Sequence, residues 1–135
     1  MDWTLEVVVV PVSDVDRAKA FYADQLGFVL DHDLSFDENT RIVQLTPPGS
    51  GCSIVLGKGA VPDMPPGSLK GLQLVVKDLP KAHAMLLERG VDAGEIQVHG
   101  VGAWDGKADL NNVGFVNFAD PDGNSWAVQQ ISARH

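Results

Sequence analysis

One short pattern occurs twice in the chain, and it limits what the chain can fold into. Val12, Asp14, Arg17 and Ala18 correspond to Val76, Asp78, Lys81 and Ala82 at one constant offset, and Gly27 corresponds to Gly90 within one residue of it. Each copy reads as the end of a strand, an N-cap, a helix and a C-cap glycine. Later in each copy, Gly51-Cys52-Ser53-Ile54-Val55-Leu56 matches Gly123-Asn124-Ser125-Trp126-Ala127-Val128: glycine, any residue, serine, then three apolar residues. The same elements in the same order predict a duplicated unit.

Taken in order, the valine-rich residues 5–12 predict a strand buried on both faces. Ser13-Asp14 then caps a helix over 15–26, whose apolar face is Val15, Ala18, Phe21, Tyr22 and Leu26. Strands are predicted at 28–31, 41–46 and 52–56, with a loop at 33–39, giving β-α-β-β-β. Residues 59–68 hold most of the remaining prolines and read as a linker. The order then restarts: strand 72–76, helix 79–89 behind Asp78, a short strand at 95–99, a glycine-rich loop through 112, and a hairpin over 115–131. Asp120-Pro121-Asp122-Gly123-Asn124 turns that hairpin, because Pro presets φ, Gly accepts positive φ, and Asp and Asn bond to nearby backbone. The predicted fold class is α+β, with tandem βαβββ modules at 1–58 and 69–135 forming one domain.

Composition narrows the function. A chain of 135 residues can bury one real core. With 10 Lys and Arg against 18 Asp and Glu, a net charge of -8 and no basic cluster, neither nucleic acid nor an anionic membrane surface is an expected partner. Met1-Asp2-Trp3 lacks a signal-peptide layout and no apolar run is long enough to span a bilayer, so the expected location is the cytoplasm. The single Cys52 excludes a disulfide framework and a thiolate zinc cluster, and reads as a small buried hydrophobe.

The chain resembles the vicinal oxygen chelate superfamily, the glyoxalase/bleomycin-resistance/extradiol-dioxygenase group. The resemblance is carried by Val12-Ser13-Asp14-Val15-Asp16-Arg17-Ala18, Phe21-Tyr22 and Leu26-Gly27-Phe28, then by 75–78 with Ala82, and by Phe118 with Asp120-Pro121-Asp122-Gly123-Asn124. It implies two modules whose curved mixed sheet cups a pocket, often within a homodimer. It also implies a divalent metal, held in most family enzymes by His, Glu or Gln on the first and last strands of each module. The matching positions here are Val7, Val55, Gly71 and Ala127, none of which has a ligating side chain. Glu6 is one residue away from Val7, which in a strand is the opposite face. The usual chelate is therefore expected to be absent, and glyoxalase I or extradiol dioxygenase activity is disfavoured.

Strand parity counted from those positions puts Val7 with Val9, Ser53 with Val55, Gly71 with Gln73, and Ser125 and Gln129 with Ala127 on the pocket side. These small, apolar and neutral hydrogen-bonding walls, with no acidic group among them, suit an organic ligand. Trp104, on the long loop, is a candidate to stack on a planar one. Arg41 has equal claims to the pocket and to a strand edge. His32, His83, His99 and His135 are scattered and read as solvated or locally bonded, with His99 nearest to a functional role. Asp120 and Asp122 read as turn chemistry. Asp33, Asp37 and Glu38 lack the spacing of a calcium loop, and the glycines of 100–106 lack dinucleotide-binding spacing.

The expected function is metal-independent binding of a small apolar or aromatic molecule, with no cofactor. The alternatives are a lyase, isomerase or dioxygenase of the same superfamily, using an atypical metal set such as His99 or Gln73 with Gln129, or metal-free acid–base catalysis. An interaction partner with a vestigial pocket is a third reading.

Overall fold

Asp14 and Asp78, the paired caps of the repeat, each accept a hydrogen bond from the backbone N–H three residues on, from Arg17 at 3.0 Å and Lys81 at 3.1 Å. The helices that follow are α1, Val15–Ala20, and α2, Leu79–Glu88. The structure, a computed structural model, describes residues 1–132, so His135 lies outside the described residues. Past Ala20 the first helix widens into π turns over Phe21–Gln25, where the Leu26 N–H reaches the Phe21 carbonyl at 3.0 Å. This replaces the uniform helix expected to residue 26. Phe21 and Tyr22 stay inside, their rings edge-on with centroids 5.1 Å apart.

The chain divides into two compact units. One comprises Met1–Leu69 with Asp120–Asn124, and the other Lys70–Ala119 with the chain from Ser125 onward. In the first, strands β1 (Val7–Val9), β2 (Val29–Asp37), β3 (Thr40–Thr46) and β4 (Ser53–Lys58) form a sheet in the order β1-β4-β3-β2. The β1–β4 pair is parallel and the others antiparallel. Val10, Ala18, Tyr22, Val43, Leu45, Ile54 and Leu56 build its core. Asp33, bonded to Lys19 of α1 at 2.6 Å, marks the sheet face on that side.

In the second unit, β5 (Leu72–Val76), β6 (Gln97–Val98), β7 (Gly102–Ala103), β8 (Gly114–Ala119) and β9 (Ser125–Gln130) are ordered β5-β9-β8-β6-β7. Leu79, Val116, Phe118, Trp126 and Val128 form its core, with the Phe118 and Trp126 rings stacked at 6.0 Å. The fold is α+β. Among the described residues no helix is long and apolar enough to cross a membrane.

Three local expectations change. Only Val7–Val9 of the predicted first strand is paired, and Val7 is 37% exposed, so this strand is not buried on both faces. Residues 33–39, read as a loop, are mostly strand, because the backbone of β2 finds its partners along β3. Cys52 is half-buried and precedes β4 rather than lying within it. The second unit also gains β7, which pairs with β6.

The acidic turn has a wider role than turn chemistry. Asp120 Oδ1 accepts the N–H groups of Asp122 at 3.0 Å and Asn124 at 2.9 Å, as a turn residue does. Its Oδ2 accepts from Tyr22 Oη at 2.7 Å and Asn124 Nδ2 at 2.8 Å. Asn124, fully buried, also donates from Nδ2 to the Pro11 carbonyl at 2.8 Å and accepts from the Leu69 N–H at 3.0 Å. Gly67 fits beside this turn only because it has no side chain: a Cβ there would sit 2.0 Å from the Asp122 carbonyl oxygen.

Two predictions follow from these bonds. Asn124→Ala strands Asp120, Pro11 and Leu69 groups together, so it should cost about 3 kcal/mol or more, against about 1 kcal/mol for Tyr22→Phe, measured by urea unfolding. The second concerns acid. Arg41, bonded to Asp33 at two distances of 3.0 Å, and Lys19 hold the Asp33 carboxyl down at about 2. The unfolded chain therefore takes up this proton first as pH falls. The contribution, about 1 kcal/mol after discounting for solvent screening, is complete above about pH 4 and drains away towards pH 2. Unfolding free energies measured across that window should fall in the parent and flatten in Asp33→Asn.

Candidate ligand-binding faces

Residues paired across a sheet share a face, so the register fixes which side chains stand together. In the first unit Val7 pairs with Ser53 and Val9 with Val55, Val55 pairs with Gln44, and Gln44 with His32. Ile42 pairs with both Gly57 and Leu34. Asp33 and Val43, the pair between these rows, lie on the α1 side. The open face thus gathers Val7, Val9, Ser53 and Val55 with Gln44, Ile42, His32 and Leu34. Ser53 and Val55 are buried there, whereas Leu34 is 50% exposed.

Strand β2 breaks the alternation once. Leu30 pairs with Leu45 and His32 with Gln44, so Asp31 is an extra residue, a bulge that turns it to the open face. Its Oδ2 accepts from Thr46 Oγ1, and Thr46 Oγ1 lies 2.6 Å from Ser53 Oγ. The expectation that this wall has no acidic group is therefore corrected: the bulge supplies one. Arg41 is on the other side of the sheet, bonded to Asp33 and, at 2.7 Å, to Asp16. Those two carboxylates, Asp33 first, raise its pKa further.

In the second unit Gln73 pairs with Ala127 and Ala127 with Asn117, while Val75 pairs with Gln129 and Gln129 with Phe115. Ser125 pairs with Ala119, and its hydroxyl accepts the Gly71 N–H at 3.3 Å. Gln73 Nε2 donates to Gln129 Oε1 at 2.5 Å, and Gln129 Nε2 donates to the Asn112 carbonyl at 2.9 Å. The amides are thereby held in one orientation. His99 lies edge-on to Phe115 at 6.3 Å.

Trp104 is elsewhere. Its Nε1 donates to the Ala108 carbonyl at 2.9 Å, and with Lys77, Asp78, Pro80 and Leu110 it lines a separate cavity of about 370 Å³. Sequence reasoning did not find Gln44, Thr46, Phe115 or Asn117, although period-two counting within β3 and β8 would have placed them. Asp31 had no such signal.

The donor set does not suit the divalent metal of the family's enzymes. Val7, Val55, Gly71 and Ala127 offer no ligating atom, and Gln129 Oε1 is engaged by Gln73. Among the described residues no group of three or more His, Cys, Asp or Glu side chains is placed to hold a metal ion.

A search of the curated proteins returned no match. Among solved structures, the chain is similar to TnmS3, an antibiotic binding protein from Streptomyces sp. CB03234, with 36% identity over 97% of this chain and 98% of that one, and a TM-score of 0.75. A glyoxalase/bleomycin resistance protein from the same organism is also 36% identical, covering 94% of this chain and all of that one at a TM-score of 0.72. A superfamily member from Sphaerobacter thermophilus DSM 20745 is 28% identical over 96% and 98% of the two chains, with a TM-score of 0.75. The family model matches residues 4–128, and with the repeat, the caps and the paired open faces it places the chain in the Glyoxalase/Bleomycin resistance protein/Dioxygenase superfamily.

Proposed function

We propose that this protein binds a small, partly apolar organic molecule against its open strand faces and does so without a resident metal. The observation that carries the reading is the character of four positions. Val7, Val55, Gly71 and Ala127 have no ligating side chain, while their neighbours on the same faces are Val9, Ser53, Gln73, Ser125 and Gln129. Apolar surface with a few fixed polar groups binds by excluding water and orienting the ligand, and it supplies no Lewis acid. The similarity to TnmS3, an antibiotic binding protein, supports the same reading. So does the position of the groups with displaced pKa values. Asp33 and Arg41 are on the α1 side, and Asp105, lowered by the N–H groups of Ala108 and Lys107, is in the loop after β7.

Two measurements check this. Protein purified without a chelating tag should contain no stoichiometric metal, and nickel, zinc, manganese and iron should leave its melting temperature unchanged. A panel of aromatic antibiotics and metabolites should include compounds that raise it, by about 2.7 kcal/mol of added stability at a hundredfold excess over Kd. A bound metal, or a rise specific to one metal, overturns the reading. Ala127→Phe, which sets a ring between Gln73 and Asn117, should weaken a second-unit ligand at least tenfold while shifting the unliganded melting temperature by only a few degrees.

A further inference from the structure

We infer that the open face of the first unit is built to receive a hydrogen-bond donor and that Asp31 sets this preference; the inference rests on the binding reading above. A carboxylate only accepts hydrogen bonds, so the Thr46 hydroxyl proton is committed to Asp31 Oδ2. With that proton committed, Thr46 Oγ1 can only accept from Ser53 Oγ, 2.6 Å away, and Ser53 is the donor. The Ser53 backbone N–H is engaged as well, by the Glu6 carbonyl at 2.9 Å. Both hydroxyl protons therefore point along the chain toward Asp31. What the array presents outward is lone pairs: those of the exposed Asp31 Oδ1, which accepts no hydrogen bond among the described residues, with the half-buried Thr46 oxygen behind it and Ser53 buried beneath.

Charge sharpens the preference. Asp33, two residues along on the α1 side, is neutralised by Lys19 and Arg41. Asp31 is exposed, and among the described residues no cation pairs with it. The flanks are apolar: Val7 pairs with Ser53 and is 37% exposed, and Val29 pairs with Thr46 and is 53% exposed. An apolar floor beside an acceptor-only anionic array fits a ring-bearing molecule with an ammonium or hydroxyl donor. A carboxylate or phosphate meets lone pairs and like charge there, which is discrimination by repulsion. The net charge of -8 acts in the same direction at long range.

Four probes of one shape separate the terms: 1-naphthylmethylamine, 1-naphthol, 1-naphthoate and 1-methylnaphthalene, titrated into the isotope-labelled protein and followed by amide chemical shifts. The amine or the naphthol, or both, should bind at least tenfold more tightly than naphthoate, with shifts centred on 29–32, 44–46 and 53–55. The amine-only result identifies charge as the recognised feature, and the result with both identifies the donor. Asp31→Asn should reduce the preference over naphthoate at least fivefold while leaving 1-methylnaphthalene unchanged. If all four bind alike, the inference is overturned and the binding reading stands. If none binds any region, the binding reading itself loses support and the inference goes with it. Shifts on this face that follow protein concentration rather than probe mean that a second copy covers it, which also overturns the inference.

Discussion

Asn124 presents a buried amide to the first unit, and every polar atom of that amide has a partner. Its Nδ2 donates to the Pro11 carbonyl and to Asp120 Oδ2, and its Oδ1 accepts from Leu69. Leaving such a group unpaired costs far more than a mismatched apolar contact, so the positions of 11, 69 and 120 are set by hydrogen-bond satisfaction rather than by shape alone. Pro11 follows directly on Val10, whose N–H bonds the Val55 carbonyl at 2.9 Å. The amide thus helps to fix the register of β1 on β4, and that register decides which valines stand on the open face. Asp122 extends the same system. It accepts from the Ser13 hydroxyl at 2.6 Å and the Ser13 N–H at 3.1 Å, just ahead of the α1 cap.

What the sequence disclosed was the part governed by local chemistry. Asp14 and Asp78 cap helices because a short carboxylate reaches the third N–H from almost any context, and that needs no tertiary information. The repeat predicted the order of elements, and period-two counting held along β1, β4, β5 and β9, where Val9 shares a face with Val7, Ser53 with Val55, and Gln73 and Gln129 with Ala127. The reading failed where pairing is decided elsewhere. Residues 33–39 look like an acidic loop in isolation, yet β3 pairs the backbone of most of them, and Lys19 and Arg41 neutralise Asp33. Trp104 sits on a loop whose path depends on β7, which pairs with the predicted β6 and is too short to leave a periodic trace.

The two open faces are not copies of one another, although the modules that carry them repeat. On the second, Gln73 and Gln129 bond to each other and to the Asn112 carbonyl, so the polar groups are neutral and largely satisfied. On the first, the polar groups end in the Asp31 carboxylate, which has no counter-charge among the described residues. The strand order β1-β4-β3-β2 recurs as β5-β9-β8-β6, and the faces differ in their side chains and in the bulge at Asp31. A shared fold hosts different chemistry for this reason, because the scaffold holds the positions and a few residues determine what they do.

A single bulge has a larger effect here than a substitution could have. Replacing an open-face valine by aspartate would add a charge but no partners, and the carboxylate would have to be solvated or paired afresh. The extra residue in β2 instead brings Asp31 alongside Thr46, whose hydroxyl already neighbours Ser53, so the charge arrives with one oxygen satisfied and the other free. The strand keeps its remaining pairs: Asp33 stays opposite Val43 on the α1 side, and Leu34 stays opposite Ile42 on the open one. A local irregularity in backbone pairing thereby changes the electrostatics of one face and leaves the core behind it intact.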